Sequence, residues 1–234
     1  MAQRISKALG TKAFCIANGA KPQIPDNEEP IGFVCPTYFW GIPWLMSDFL
    51  QSLHLSGDHY LFLVLTCGGS TGNASGMLEK KLGRKMDAKF SVKMPDTWTP
   101  MFDVSNQEEN MALIEKADAD IDQIIKLITN KEQGDFDRLR GMGKIATTLI
   151  YPFYRKQSAK KFSVTSDCIS CGQCEERCPI HSISMEKGRP VWNIDHCLFC
   201  LSCLHRCPAN AITYGPNTHK HGQFYNPKVE QNGD

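Results

Sequence analysis

No stretch of the chain is apolar for anything like the ~18 residues a membrane-spanning helix needs. No basic-then-apolar leader with a small-residue cleavage site opens it. An excess of one charge is missing too: Lys and Arg number 26 against 25 Asp and Glu, a formal net charge of +1. That balance excludes an electrostatic nucleic-acid binder and an acidic interaction tail. The dinucleotide fingerprint G-x-G-x-x-G is absent, which argues against direct use of a nicotinamide cofactor. The expectation is a cytoplasmic protein with no nucleic-acid partner and no membrane insertion.

Cysteine is what the chain has in plenty: 11 residues, unevenly spread. Cys15, Cys35 and Cys67 are scattered and have no partner at metal-ligand spacing, so they are expected to be small buried apolar residues. The other eight fall between positions 168 and 207. There, DCISCGQCEERCPIHSI from Asp167 and HCLFCLSCLHRCPANAI from His196 superpose without a gap, each cysteine 29 positions after its counterpart. Both runs read C-x2-C-x2-C-x3-C-P, the spacing by which three thiolates wrap one iron–sulfur cube while the fourth cysteine turns away toward a second. Zinc prefers two separated cysteine pairs, and disulfides need an oxidising compartment that nothing in the chain supports.

The doubled run resembles the bacterial two-cluster ferredoxins. That resemblance implies two 4Fe–4S clusters: one on Cys168, Cys171, Cys174 and Cys207, the other on Cys197, Cys200, Cys203 and Cys178. Ile169, Ile180, Ile183, Leu198, Phe199, Leu201 and Ile212 supply an expected apolar shell that limits water access. With all eight ligands cysteine and no His among them, a low reduction potential is expected. His181, His196 and His205 read as surface residues, and Asp167 as a loop residue.

Ahead of the cysteines, strand-like and helical stretches alternate. AFCIA (13–17), GFVCP (32–36), HYLFLVLT (59–66) and KFSVKMP (89–95) read as strands, and Pro43–Leu53 and 74–82 as helices. Such alternation means a parallel sheet with helices on both sides. HYLFLVLT is continuously apolar, as for a strand covered on both faces. Two loops stand at strand C-termini, PTYFWGIPW (36–44) and TCGGSTGNA (66–74), where open α/β sheets place ligands. On their own they also read as packing and turn chemistry.

With PTYFWG, TCGGSTGN, KMPDTW and the doubled cysteine run together, the whole chain resembles a family that joins a flavodoxin-like domain to a two-cluster ferredoxin. The resemblance implies FMN between the two loops. Thr37, Tyr38, Phe39, Trp40 and Gly41 would lie on one side of its ring, and Thr66, Cys67, Gly68, Gly69 and Asn73 on the other. Flavodoxin-like domains begin with a strand and a phosphate loop. MAQRISKALG instead begins inside the following helix, with Ala2, Ile5 and Leu9 at helical spacing before Gly10. The expectation is a natural chain starting upstream, with the strands at 13–17 and 32–36 facing a gap. The alternatives are that these strands close up or that a partner supplies the missing one.

Residues 106–130 are expected to form an amphipathic helix with Ile114, Ile121, Ile124, Ile125 and Ile128 on one face. A second helical stretch, interrupted at Pro152, runs from Phe136 to Phe162. Its Arg138, Arg140, Lys144, Arg155, Lys156, Lys160 and Lys161 form either a solvated face or a docking patch for an acidic redox partner. His219 and His221 read as an incidental pair in a partly extended tail.

The expected organisation is therefore an α/β flavodoxin-like domain lacking its first strand over 1–132 and a helical connector over 133–161. A small α+β two-cluster ferredoxin domain follows over 162–216, and a tail over 217–234. The expected function is electron transfer between redox partner proteins through two 4Fe–4S clusters, relayed to or from FMN. The alternative is a flavin-dependent reductase with the ferredoxin module as its internal wire.

Overall fold

The computed structural model of the chain describes residues 1–19, 22, 24, 29–141, 143–193 and 197–226; the side chains of Asn18, Lys144 and Arg155 lie outside that description. The chain divides into two compact units: Met1–Met94 with Glu115–Lys156, and Pro95–Ile114 with Gln157–Asp234.

The first unit is built on the apolar run read as the central strand. β2 (Leu61–Cys67) pairs in parallel with β1 (Ile31–Pro36) and β3 (Ala88–Lys93), and β3 pairs in parallel with β4 (Gly134–Phe136). The order is β1-β2-β3-β4. Because side chains alternate along a strand, Leu61, Leu63 and Leu65 enter one apolar cluster while Phe62 and Val64 enter another. The first cluster is closed by α2 (Trp44–Ser52) and α3 (Ala74–Leu82) through Met46, Leu50, Ala74 and Leu78. The second is closed by α1 (Ala2–Leu9) through Ile5 and by α4 (Gln107–Thr129) through Ala117, Ile121, Ile124 and Ile128. Each of the Leu, Ile and Met side chains, fully buried, contributes about 1.5–3 kcal/mol. Gly10 ends α1 in a left-handed conformation, its N–H bonded to the Lys7 carbonyl. Arg4 of α1 reaches Asp118 and Asp122 of α4, both at 2.6 Å. These half-exposed pairs contribute at most about 1 kcal/mol each.

Three sequence expectations fail here. Residues 13–17 form no strand. Ile16–Asn18 is a 3-10 turn that Gly19 ends, and Phe14 is 53% exposed, so only Ile16 packs on the sheet's core. A short run with no strand beside it cannot satisfy its backbone, and the Asn-Gly at its end favours a turn. The expected pair of strands flanking a gap is thus absent, and the two do not close up on each other. Pro152 interrupts nothing: α5 (Gly143–Arg155) runs through it. Finally, β4 adds a strand within the stretch read as a connector.

In the second unit the 29-residue repeat becomes a structural one. Helices α6 (Gln173–Glu176) and α7 (Ser202–His205) start 29 residues apart, as do strands β6 (Ile183–Glu186) and β8 (Ile212–Tyr214). β6 pairs antiparallel with β7 (Arg189–Trp192), and β8 with β5 (Phe162–Val164). The core gathers Phe162, Ile183, Leu201, Leu204, Ile212 and Tyr214 around the cysteines.

Candidate metal centre

Each cysteine run is bent by residues in the left-handed backbone region, and the bends recur at the repeat spacing. They fall at Ser170 and Phe199, at Gly172 and Leu201, and at His181 and Asn210. Non-glycine residues tolerate this conformation only where their surroundings impose it, and such residues gather at functional sites. The bends turn backbone N–H groups toward sulfur. Ser182 N–H donates to Cys178 Sγ at 3.1 Å, and its counterpart Ala211 N–H to Cys207 Sγ at 3.3 Å. Phe199 N–H donates to Cys197 Sγ at 3.4 Å. Such bonds favour the charged thiolate and tune the metal it holds. Burial acts in the opposite sense on the free thiols, pushing Cys197 up to about 12 and Cys203 well above its ordinary value.

Two hollows result. Cys168, Cys171, Cys174 and Cys207 line the first; Cys178, Cys197, Cys200 and Cys203 line the second. Each thus draws three cysteines from one run and the Cys-Pro cysteine of the other. Among the described residues, no three His, Cys, Asp or Glu side chains converge on a single-ion position. A cube takes one thiolate on each of its four irons, so its ligands ring a volume rather than a point. This donor set fits the cube. The two sites differ in exposure: Cys171 is exposed, whereas Cys178 and Cys203 are buried.

Of the expected apolar shell, Ile183, Leu198, Leu201 and Ile212 are buried, and Ile180 and Phe199 pack partly buried against the core. Ile169 lines the first hollow yet is 65% exposed. His181 and Asp167 are exposed as expected, and His196 lies outside the described residues. His205 is not a surface residue. It is 5% exposed, with Nε2 at 2.8 Å from the Thr97 carbonyl and Nδ1 accepting from Phe224 N–H. His221 Nδ1 lies 2.6 Å from the Thr99 carbonyl. Sequence reasoning missed the aromatic group beside the second hollow. Phe162 stacks on Trp192 with centroids 4.7 Å apart and planes at 2°, and meets Tyr214 edge-on. A lone Trp in the hairpin between the two runs was the available signal.

In the first unit, the loops after β1 and β2 come together. Thr37 N–H donates to the Thr66 carbonyl, and Asn73 N–H to the Trp40 carbonyl. Tyr38 and Gly41 exchange two backbone bonds across a tight turn whose central residues, Phe39 and Trp40, both have positive φ. Gly72 is required at its place: its φ is 56°, and a Cβ there would meet Trp40 at 2.3 Å. The rings expected to flank a flavin pack on α5 instead. Tyr154 stacks on Phe39 and meets Tyr38 edge-on, Tyr151 donates to the Ile42 carbonyl and covers Gly41, and Thr147 donates to the Trp40 carbonyl. Thr37, Tyr38, Phe39, Trp40 and Gly41 follow β1, while Thr66 and Cys67 close β2 and Gly68, Gly69 and Asn73 follow it, so both loops stand at the C-terminal ends of parallel strands. Of the scattered cysteines, Cys35 and Cys67 are buried as expected, but Cys15 is exposed. Of the basic residues, Arg140 is held by Asp135 and Asp137. Lys156, Lys160 and Lys161 are exposed, and the side chains of Lys144 and Arg155 are outside the described set. Among the described residues no helix is long and apolar enough to cross a membrane.

Residues 167–212 match the 4Fe-4S dicluster domain family. No curated protein and no solved structure matches the chain. The cofactors of this segment are two 4Fe–4S clusters, for which the eight cysteines between 168 and 207 are the ligands.

Proposed function

We propose that the chain is an electron carrier that passes single electrons between protein partners, using two clusters with crossed ligation. One cluster sits on Cys168, Cys171, Cys174 and Cys207, the other on Cys178, Cys197, Cys200 and Cys203. The observation that carries this reading is that each hollow mixes cysteines of both runs. When bound, the clusters supply reversible one-electron chemistry. The chain's own residues do the rest: left-handed loop positions aim N–H groups at sulfur, and Leu198, Leu201, Ile183 and Ile212 keep water out. The exposed Cys171 and Ile169 mark the edge of the first hollow as the place where a partner's redox centre approaches most closely. The test is anaerobic purification with iron and sulfide analysis, followed by electron paramagnetic resonance of the reduced protein. Two interacting 4Fe–4S signals are expected; a colourless or zinc-loaded protein sinks the reading.

A second reading gives the α/β unit a flavin role, as in a flavodoxin-like domain, and the whole chain the activity of a flavin-dependent reductase. The meeting of the 36–44 and 66–74 loops at the ends of parallel strands favours it. It requires Tyr151 and Tyr154 to leave the aromatic loop. Flavin recovered from purified protein, with steady turnover of a small acceptor and no protein partner, would establish it.

A further inference from the structure

Trp192 closes β7 opposite Ile183 of β6 and lines the second hollow. Its ring plane is set by the stack on Phe162. Its Nε1 is buried and makes no hydrogen bond to the described residues, although burying an N–H without a partner costs about 1–3 kcal/mol. The side chain lines this hollow together with Cys203, one of the cysteines of that site. A donor held this way, at the wall of a hollow lined by four cysteines, has no acceptor among the described residues.

Among the described residues the first hollow has no equivalent. Ile212, 29 residues after Ile183, stands opposite Val164. The repeat that makes the two sites alike therefore puts valine where the second has indole. Gln173, which lines the first hollow, is half-exposed, so water competes for its amide; its counterpart at the second is Ser202.

We propose that the Trp192 Nε1–H donates to the cluster held by Cys178, Cys197, Cys200 and Cys203, and thereby sets that cluster at a higher potential than its twin. Trp192 is a positioning residue: it forms no bond to iron. On reduction the cluster takes one electron from the donor, with no covalent bond made or broken, and its sulfurs gain negative charge. An N–H donor stabilises that form more than the oxidised one, so the electron rests on this cluster. The more exposed cluster then serves as the exchange port.

This inference rests on the crossed ligand sets, and the experiment separates the two. Full-length wild type and Trp192→Phe are reconstituted anaerobically, analysed for iron and sulfide, and titrated with dithionite under electron paramagnetic resonance. A wild type without two clusters would overturn the ligand reading itself. With both clusters loaded, the variant should lower one midpoint potential by about tenfold in the reduction equilibrium, ~59 mV for one electron, and leave the other in place. Two unmoved potentials would overturn the role of Trp192, as would equal shifts in both. If Trp192→Phe loads poorly, 3-benzothienylalanine at position 192 keeps the bicyclic shape and removes only the N–H. The same shift of one potential is expected, and its absence is equally decisive.

Discussion

Gly172 and Leu201 occupy the same position in successive cysteine runs, 29 residues apart, and both take a left-handed backbone, with φ of 73° and 54°. No protein atom lies within 4 Å of where a Cβ on Gly172 would sit, so Gly172→Ala tests backbone strain together with any contact to the cluster in the hollow that Gly172 lines. It should cost about 1–2 kcal/mol. Leu201→Gly relieves a similar strain but removes a side chain that is 1% exposed; large-to-small changes in a core cost about 2–5 kcal/mol. Leu201→Gly should therefore be net destabilising, by about 1–3 kcal/mol. Loss of cluster absorbance in anaerobic guanidinium titrations measures both. A Gly172→Ala midpoint equal to wild type would show that the loop does not need this conformation.

Crossed ligation has a signature that pairs of substitutions expose. Cys168→Ala with Cys207→Ala removes two ligands from one hollow and none from the other. Half of the iron should remain. Cys168→Ala with Cys178→Ala takes one ligand from each, so both clusters should be labile. Iron and sulfide content after desalting distinguishes the pairs. The reverse pattern, with half of the iron kept by Cys168→Ala with Cys178→Ala and both clusters labile in the other pair, would mean that each run holds its own cluster.

The three cysteines outside the runs divide by burial. Cys15 is exposed, whereas Cys35 and Cys67 are buried. Alkylation of the native protein at neutral pH should label Cys15 first, with Cys35 and Cys67 reacting only in denaturant; peptide mass spectrometry reads the order. Burial also pushes the Cys35 thiol from 9.0 up to about 12, and burial with nearby Asp87 and Glu132 pushes Tyr60 from 10.0 up to about 12. Between those limits the unfolded chain loses these protons before the folded one does, so stability falls as pH rises. The stabilisation is complete below about pH 9 and is lost toward pH 12. In Cys35→Val the slope of sheet stability against pH over that window should flatten, and an unchanged slope would refute the assignment.

The cysteine domain was legible because its chemistry imposes spacing on sequence: eight residues at fixed intervals leave few alternatives. The parallel sheet was legible from the continuous apolar run at 59–66 and the helical periodicities around it. What escaped depended on partners distant in sequence. Residues 13–17 have strand composition but no strand to pair with. His205 looks like a surface residue until Phe224, 19 positions later, covers it. The loops at 36–44 and 66–74 were legible as neighbours, but nothing placed Tyr151 and Tyr154, over 100 residues away, against the first of them. Trp192 carried no motif at all; its meaning lies in the hollow its side chain lines.

The segment read as a tail has a larger role than its composition implied. Gln223 Nε2 donates to the carbonyls of both Leu204 and Cys207, and Phe224, 5% exposed, donates its N–H to His205 Nδ1. Val104 N–H bonds the His221 carbonyl. These contacts satisfy the C-terminal end of α7, whose helix carries Cys203 and leads to Cys207, so they hold one ligand of each hollow in place. Gln223→Ala leaves two carbonyls without that donor and should cost about 1–3 kcal/mol. Phe224→Ala removes a buried ring and should cost about 3–5 kcal/mol. Both variants should speed bleaching of the clusters in air, Phe224→Ala more so, because water and oxygen gain access beside His205. Following visible absorbance after exposure to air gives the rates. If both variants bleach at the wild-type rate, residues 217–226 are an appendage to the cluster domain and not part of its wall.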